Sequence, residues 1–213
     1  KYRPFLVKEQ KVLMMAQDSG EDQQIAEAMG NLVSSCTFGK VDAETSPMFD
    51  LEYVFLKVRG KSVGETVQLS LICPDDEKTT VPVNLKLDDI EVQMLDNHTN
   101  EINISESVKV VFRYPLLNDM KSMDKDSTDI QKVFHFLVNC MHEIHYDDDV
   151  YRRIDLKDKE IEDFIDQFTG EQFELITNFF NSMPKLRHTV EVTNPKTKVK
   201  SEVVLEGLES FLG

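Results

Sequence analysis

The sequence predicts an α+β protein: N-terminal helices, a small central antiparallel sheet, and C-terminal helices ending in a β-hairpin. Two observations predict this class. Apolar residues return at helical spacing from Phe5 to Arg59 and again from Thr128 to Met183, whereas between Glu65 and Tyr114 and near the C terminus their period drops to two. Helices and strands are therefore grouped in blocks, unlike the alternating βαβ units of a nucleotide-binding sheet.

The first helix is expected over Phe5 to Gln17 and is separated by Gly20 from a second, Asp22 to Cys36, in which Ile25, Ala28, Met29, Leu32, Val33 and Cys36 share a face. A third opens at Ser46-Pro47, an N-cap followed by proline at the first helical position, and carries Met48, Leu51, Phe55 and Val58 to about Arg59, with Gly60 and Gly64 ending it. Val67, Leu69 and Leu71, then Val81, Val83, Leu85 and Leu87, alternate with neighbours of the opposite face on either side of the turn Pro74-Asp75-Asp76-Glu77-Lys78, which predicts a hairpin. Further strands are expected at Ile90 to Met94 and Val108 to Tyr114, the latter closed by Pro115.

After Asp124-Lys125-Asp126 the helical period resumes. Thr128 and Gln131 form a capping-box pattern ahead of Ile130, Val133, Phe134, Leu137 and Met141, in what is expected to be the longest helix. Asp158 to Phe168 and Gly170 to Met183 follow as two amphipathic helices, the second stopped by Pro184. His188 to Val192 and Val199 to Leu205, joined through Asn194-Pro195-Lys196-Thr197, predict a terminal hairpin, followed by an apolar tail at Leu208 and Phe211. These blocks divide the chain into segments 1–64, 65–115, 116–184 and 185–213, expected to form one composite domain.

With 213 residues, 40% of them hydrophobic, the chain can bury a sizeable core, and its 13 Phe and 9 Met supply bulk in the absence of Trp. A formal charge of -15 repels a phosphate backbone, so nucleic acid is not an expected partner. Cys36, Cys73 and Cys140 are odd in number, far apart and in apolar surroundings, the pattern of reduced buried thiols in a cytosol-like compartment. No apolar run approaches the ~18 residues that span a bilayer, and Lys1 to Gln10 lacks the apolar stretch of a signal peptide. In that setting the Asn97-His98-Thr99 and Asn103-Ile104-Ser105 sequons read as chance.

Chemistry-bearing motifs are weak. Gly60-Lys61-Ser62 resembles the end of a phosphate-binding loop, but Phe55 stands where the upstream glycine is needed and the segment leaves a helix instead of entering one. His135, Cys140, His142 and His145, expected on one helix, make the best metal candidate through Cys140, His142 and His145; a zinc site needs a second close pair, and Cys36 and Cys73 are isolated. Asp147-Asp148-Asp149 lacks the spaced ligands and glycine of a calcium loop and reads as a solvated helix end. Glu160, Glu162, Asp163 and Asp166 form the polar face of their own helix, and no Ser, His and Asp set is identifiable. No cofactor is expected, and the chain is read as a protein that binds other proteins and does not catalyse.

Candidate binding surfaces follow from charge and aromatic content. Acid is concentrated from Glu143 to Glu174, whereas Lys185, Arg187, Lys196, Lys198 and Lys200 make the terminal hairpin basic; the basic hairpin either docks a partner or folds onto the chain's own acidic helices. Asp50, Glu52 and Arg59 interrupt an apolar helix and either pair within the fold or face a partner. Phe179, Phe180 and Phe211 are candidate apolar anchors.

Particular strings carry a family resemblance. Lys8-Glu9-Gln10-Lys11 before an apolar helix, Cys36-Thr37-Phe38-Gly39, the run Phe49-Asp50-Leu51-Glu52-Tyr53-Val54-Phe55-Leu56-Lys57-Val58-Arg59-Gly60-Lys61-Ser62-Val63-Gly64-Glu65, Phe179-Phe180-Asn181-Ser182-Met183-Pro184-Lys185-Leu186-Arg187-His188, and the closing Leu205 to Phe211 together resemble the baseplate hub proteins of T4-like contractile-tailed phages. The resemblance covers the whole chain. It implies a hub subunit or hub-assembly protein, made in the infected bacterial cytoplasm, joined to other tail proteins and without catalytic residues; self-association is a further expectation. Two other readings remain open on the residues alone: a protein stabilised by or dependent on a metal held by Cys140, His142 and His145, and a protein-binding module of the host cell.

Overall fold

The switch from helical to alternating periodicity is realised closely in the computed structural model, which describes residues 1–122 and 128–212 apart from the side chains of Asp22, Asp129 and Ile130. Asp124-Lys125-Asp126 and the Ile130 side chain thus lie outside the described residues. The helices are α1 (Val7–Ser19), α2 (Asp22–Cys36), α3 (Met48–Val63), α4 (Leu117–Lys121), α5 (Asp129–Cys140), α6 (Asp158–Ile165) and α7 (Gly170–Ser182). The strands are β1 (Thr66–Ile72), β2 (Thr80–Lys86), β3 (Glu91–Gln93), β4 (Glu101–Asn103), β5 (Val108–Phe112), β6 (Met141–Tyr146), β7 (Asp149–Arg152), β8 (Lys185–Thr193) and β9 (Lys200–Glu206). The fold is α+β as expected, but its strands form three small antiparallel sheets, β1-β2, β3-β8-β9 and β4-β5-β6-β7.

The chain divides into two compact units, residues 1–93 with 184–213, and residues 94–183. In the first, Val67 and Leu69 of β1 lie opposite Leu85 and Val83 of β2, and the alternation turns Val67, Leu69, Leu85 and Leu87 into a core with Leu56, Ile90, Leu186, Val190, Val192, Leu205 and Phe211. The β1-β2 turn is fixed by Asp76, whose carboxylate accepts the Lys78 and Thr79 N–H groups at 3.1 and 2.9 Å and the Thr79 hydroxyl at 2.6 Å. Asp75 reaches the terminal hairpin. It accepts from the Asn194 amide at 3.0 and 3.1 Å and from the Thr197 hydroxyl, so the fully buried Asn194 is satisfied.

Helix α3 differs from expectation at both ends. Pro47 occupies the cap position with extended ψ, so the helix starts at Met48, and it runs through Gly60 to Val63. Gly64, at φ 129°, is the residue that ends it. Gly60 instead faces Leu87, where an added Cβ would meet Leu87 Cδ1 at 3.7 Å, an ordinary contact. Gly60→Ala is therefore expected to stabilise the protein by up to about 1 kcal/mol through helix propensity, read as a raised urea midpoint.

In the second unit, β5 pairs with β4 and β6, placing Val110 opposite Ile102 and Ile144 over a core with Phe112, Leu137, Val138, Ile161, Ile165, Ile176 and Phe179. The predicted capping box closes α5: Thr128 Oγ1 accepts from Gln131 N at 3.3 Å and Gln131 Oε1 from Thr128 N at 2.8 Å. Thr169 and Gln172 repeat the device on α7. α5 is not the longest helix. It stops at Cys140, because the next residues pair with β5, and tertiary strand pairing overrides the helical reading. Asp147-Asp148 is consequently a tight β6-β7 turn with Asp147 at φ 51°, and not a helix end.

Candidate functional site

The metal candidates are not brought together. Cys140 ends α5 inside the core, where burial pushes its thiol up to about 12 and keeps it protonated. His142 and His145 lie on β6, not on a helix, and three residues along a strand place them on opposite faces. His145 Nε2 meets Glu143 Oε2 at 2.9 Å, two residues away on its own face. Among the described residues no group of three or more His, Cys, Asp or Glu side chains could hold a metal ion.

The aromatic candidates are structural. Phe179 is buried in a ring cluster, 5.1 Å from Phe112, 4.9 Å from Phe180, 5.9 Å from Tyr114 and 5.3 Å from His98, measured between centroids. His98 stitches this cluster through Nδ1 to Ser182 Oγ (2.9 Å) and Nε2 to the Tyr114 hydroxyl (3.1 Å). Phe180 is partly buried beside Phe112, and Phe211 is fully buried in the core of the first unit. Burial of apolar side chains of this size is strongly favourable, and Phe179 and Phe211 are held in the cores of their own units.

The basic hairpin is largely self-neutralised. Lys185 Nζ and Arg187 reach Glu206 across β8 and β9, and Lys200 reaches Glu191 at 2.8 Å. These three cations pair within the hairpin. Lys196 and Lys198, at the exposed tip, make no ion pair among the described residues.

The α3 trio separates. Asp50 is exposed in the first turn, where a carboxylate suits the helix dipole. Glu52 is half-buried; burial, with Glu209 nearby, raises its carboxyl to about 7 against an opposing pull from Lys185. The unfolded chain releases this proton near 4.5 while the folded chain holds it to about 7, so the stability the neutral form carries is intact below pH 4.5 and lost as pH rises to about 7. Glu52→Gln is expected to match the wild type at pH 4 and to be about 1–3 kcal/mol more stable at pH 8, by urea titration at both pH values.

Arg59 is half-buried and donates from Nη2 to the Leu212 carbonyl oxygen at 3.1 Å. It lies in a groove of about 330 Å³ between α1 and α3, lined by Phe5, Gln10, Leu13, Met14, Phe55, Val63 and Leu212. The groove is open, with Met14 55% and Val63 51% exposed on its walls. Sequence reasoning missed the α1 side of this surface. Its signal was the run Val12-Leu13-Met14-Met15, which carries apolar residues beyond the one face a packed helix can bury.

A second groove, in residues 94–183, runs between α7 and the edge strand β4 and is lined by Leu95, Asn97, Ile102, Asn103, Leu175 and Asn178. No helix among the described residues is long and apolar enough to cross a membrane.

These features define an α+β protein with an open groove between α1 and α3 in its first unit and another beside β4 in its second. The chain belongs to the T4 bacteriophage base plate protein family, whose model matches residues 1–213. It is accordingly a structural protein of the phage baseplate, a component of the virion tail with other tail proteins as partners. Comparison with curated proteins and with solved structures returns no match.

Proposed function

We propose that this protein is a non-enzymatic structural or assembly component of the baseplate hub of a contractile tail, acting by protein–protein binding during assembly in the infected bacterial cytoplasm. The observation that carries this reading is the match of the whole chain to the baseplate family. The open groove between α1 and α3, with Met14 and Val63 exposed on its walls, supports it, because exposed apolar surface on a well-packed unit favours association.

The test is co-purification from infected cells, compared with finished virions. A hub component is expected in complexes with central tail proteins; retention in virions identifies a permanent subunit, and loss on completion an assembly factor. Recovery as a free monomer from cells, with none in tails or tail intermediates, would sink the proposal.

A further inference from the structure

We propose that the groove between α1 and α3 seats an amphipathic helix of another tail protein, which brings an Asp or Glu carboxylate to Arg59 and large apolar side chains to Phe5, Met14, Val63 and Leu212. This rests on the reading of the chain as a binding component of the baseplate and names the surface and the chemistry it takes.

Of the six arginines, Arg152 is exposed and the other five are partly buried. Arg3, Arg113, Arg153 and Arg187 are each partly buried and each holds a carboxylate, from Glu9, Asp119, Asp158 and Glu206 respectively. Arg59 is the exception: its one hydrogen bond goes to a neutral carbonyl, and no carboxylate among the described residues lies within ion-pair distance. A guanidinium has five N–H donors and retains its charge, so most of its capacity is turned to the groove. In a chain with 39 acidic and 24 basic residues, this is a local cationic point inside an apolar frame.

The frame fits a helix. Gln10 to Gln17 on α1 spans about 10 Å, two turns, which matches anchors at i, i+3 or i+4, and i+7 on a docked helix. Met14 supplies an adaptable apolar wall. In a second copy of this chain offering α1, Glu9 is already held by Arg3 and Lys8 and Lys11 would bring like charge toward Arg59, which leaves Asp18 as the one α1 carboxylate to compete with a partner's.

The experiment uses the full chain in infected cells with the photo-crosslinking residue p-benzoylphenylalanine at position 14, followed by peptide mapping. The expected product joins Met14's position to a helical segment of another tail protein carrying Asp or Glu within one turn of apolar residues. Arg59→Glu and Met14→Glu are each expected to lower the amount of this chain in purified tails and tail intermediates at least tenfold, and exchanging the mapped carboxylate for Arg should restore Arg59→Glu. Val63→Glu, on the opposite wall, replaces Met14→Glu if thermal melting shows the latter unfolded. Crosslinking to a second copy, to a segment without a carboxylate, or to nothing overturns the inference, as does wild-type incorporation of a folded groove variant. Absence of the wild-type chain from tails and intermediates is a different result and removes the baseplate hub reading itself.

Discussion

Phe179→Ala is expected to lower the stability of residues 94–183 by about 3–5 kcal/mol, the range for removing a fully buried phenyl ring from a packed core. The ring is 1% exposed and touches Phe112, Tyr114, Phe180 and His98, drawn from β5, α7 and the segment before β4. Truncation opens a cavity bounded by other aromatic rings, which are too stiff to collapse into it, so the cost belongs at the upper part of that range. Phe179→Leu keeps much of the volume and should cost less than about 1.5 kcal/mol. Amide hydrogen exchange at β5 and β6 is the appropriate measurement, because the two compact units need not unfold together and a single midpoint would mix them. Unchanged protection in Phe179→Ala would contradict the cluster's role.

Asp119→Ala should cost a similar amount, about 3–5 kcal/mol, for a different reason. Asp119 is 4% exposed and receives two guanidinium bonds from Arg113, both at 2.7 Å, plus the Leu116 N–H at 2.8 Å. Removing the carboxylate leaves the Arg113 charge without its partner and the first turn of α4 without its cap. The pair's own net worth is smaller than this loss, so Arg113→Met combined with Asp119→Leu should be closer to wild type than Asp119→Ala alone. A double variant as unstable as the single one would show that the cap, and not the uncompensated charge, dominates.

Where apolar spacing and local chemistry agreed, the fold was legible in the sequence. The Thr128–Gln131 capping box, the Asp76 turn and the terminal hairpin all occur at their expected places, since each is decided within a few residues. Misreadings arose where distant partners decide. His142 to Tyr146 fits either period, and the choice of strand belongs to β5, more than thirty residues earlier. Gly60 looked like a stop, but it continues the helix with an ordinary helical backbone beside Leu87, and Gly64 at positive φ is the stop. For the candidate surfaces the limit was burial: sequence shows that Phe179, Phe211 and Arg59 are anomalous in their settings, yet only packing separates the two phenylalanines in the cores from the arginine in an open groove.

The first unit is assembled from both ends of the chain, with β3 paired to β8 and the core residues Leu56, Val67, Leu85 and Ile90 completed by Leu186, Val190, Leu205 and Phe211. During synthesis the ribosome releases residues 94–183, a continuous stretch, well before β8 and β9 exist. The second unit can thus mature while the first is still a half-built shell with its apolar interior open to chaperones and to premature contacts. The surface between α1 and α3 is fully supported only after β8 and β9 emerge, so translation itself acts as a timer that withholds the proposed docking face until those strands are made.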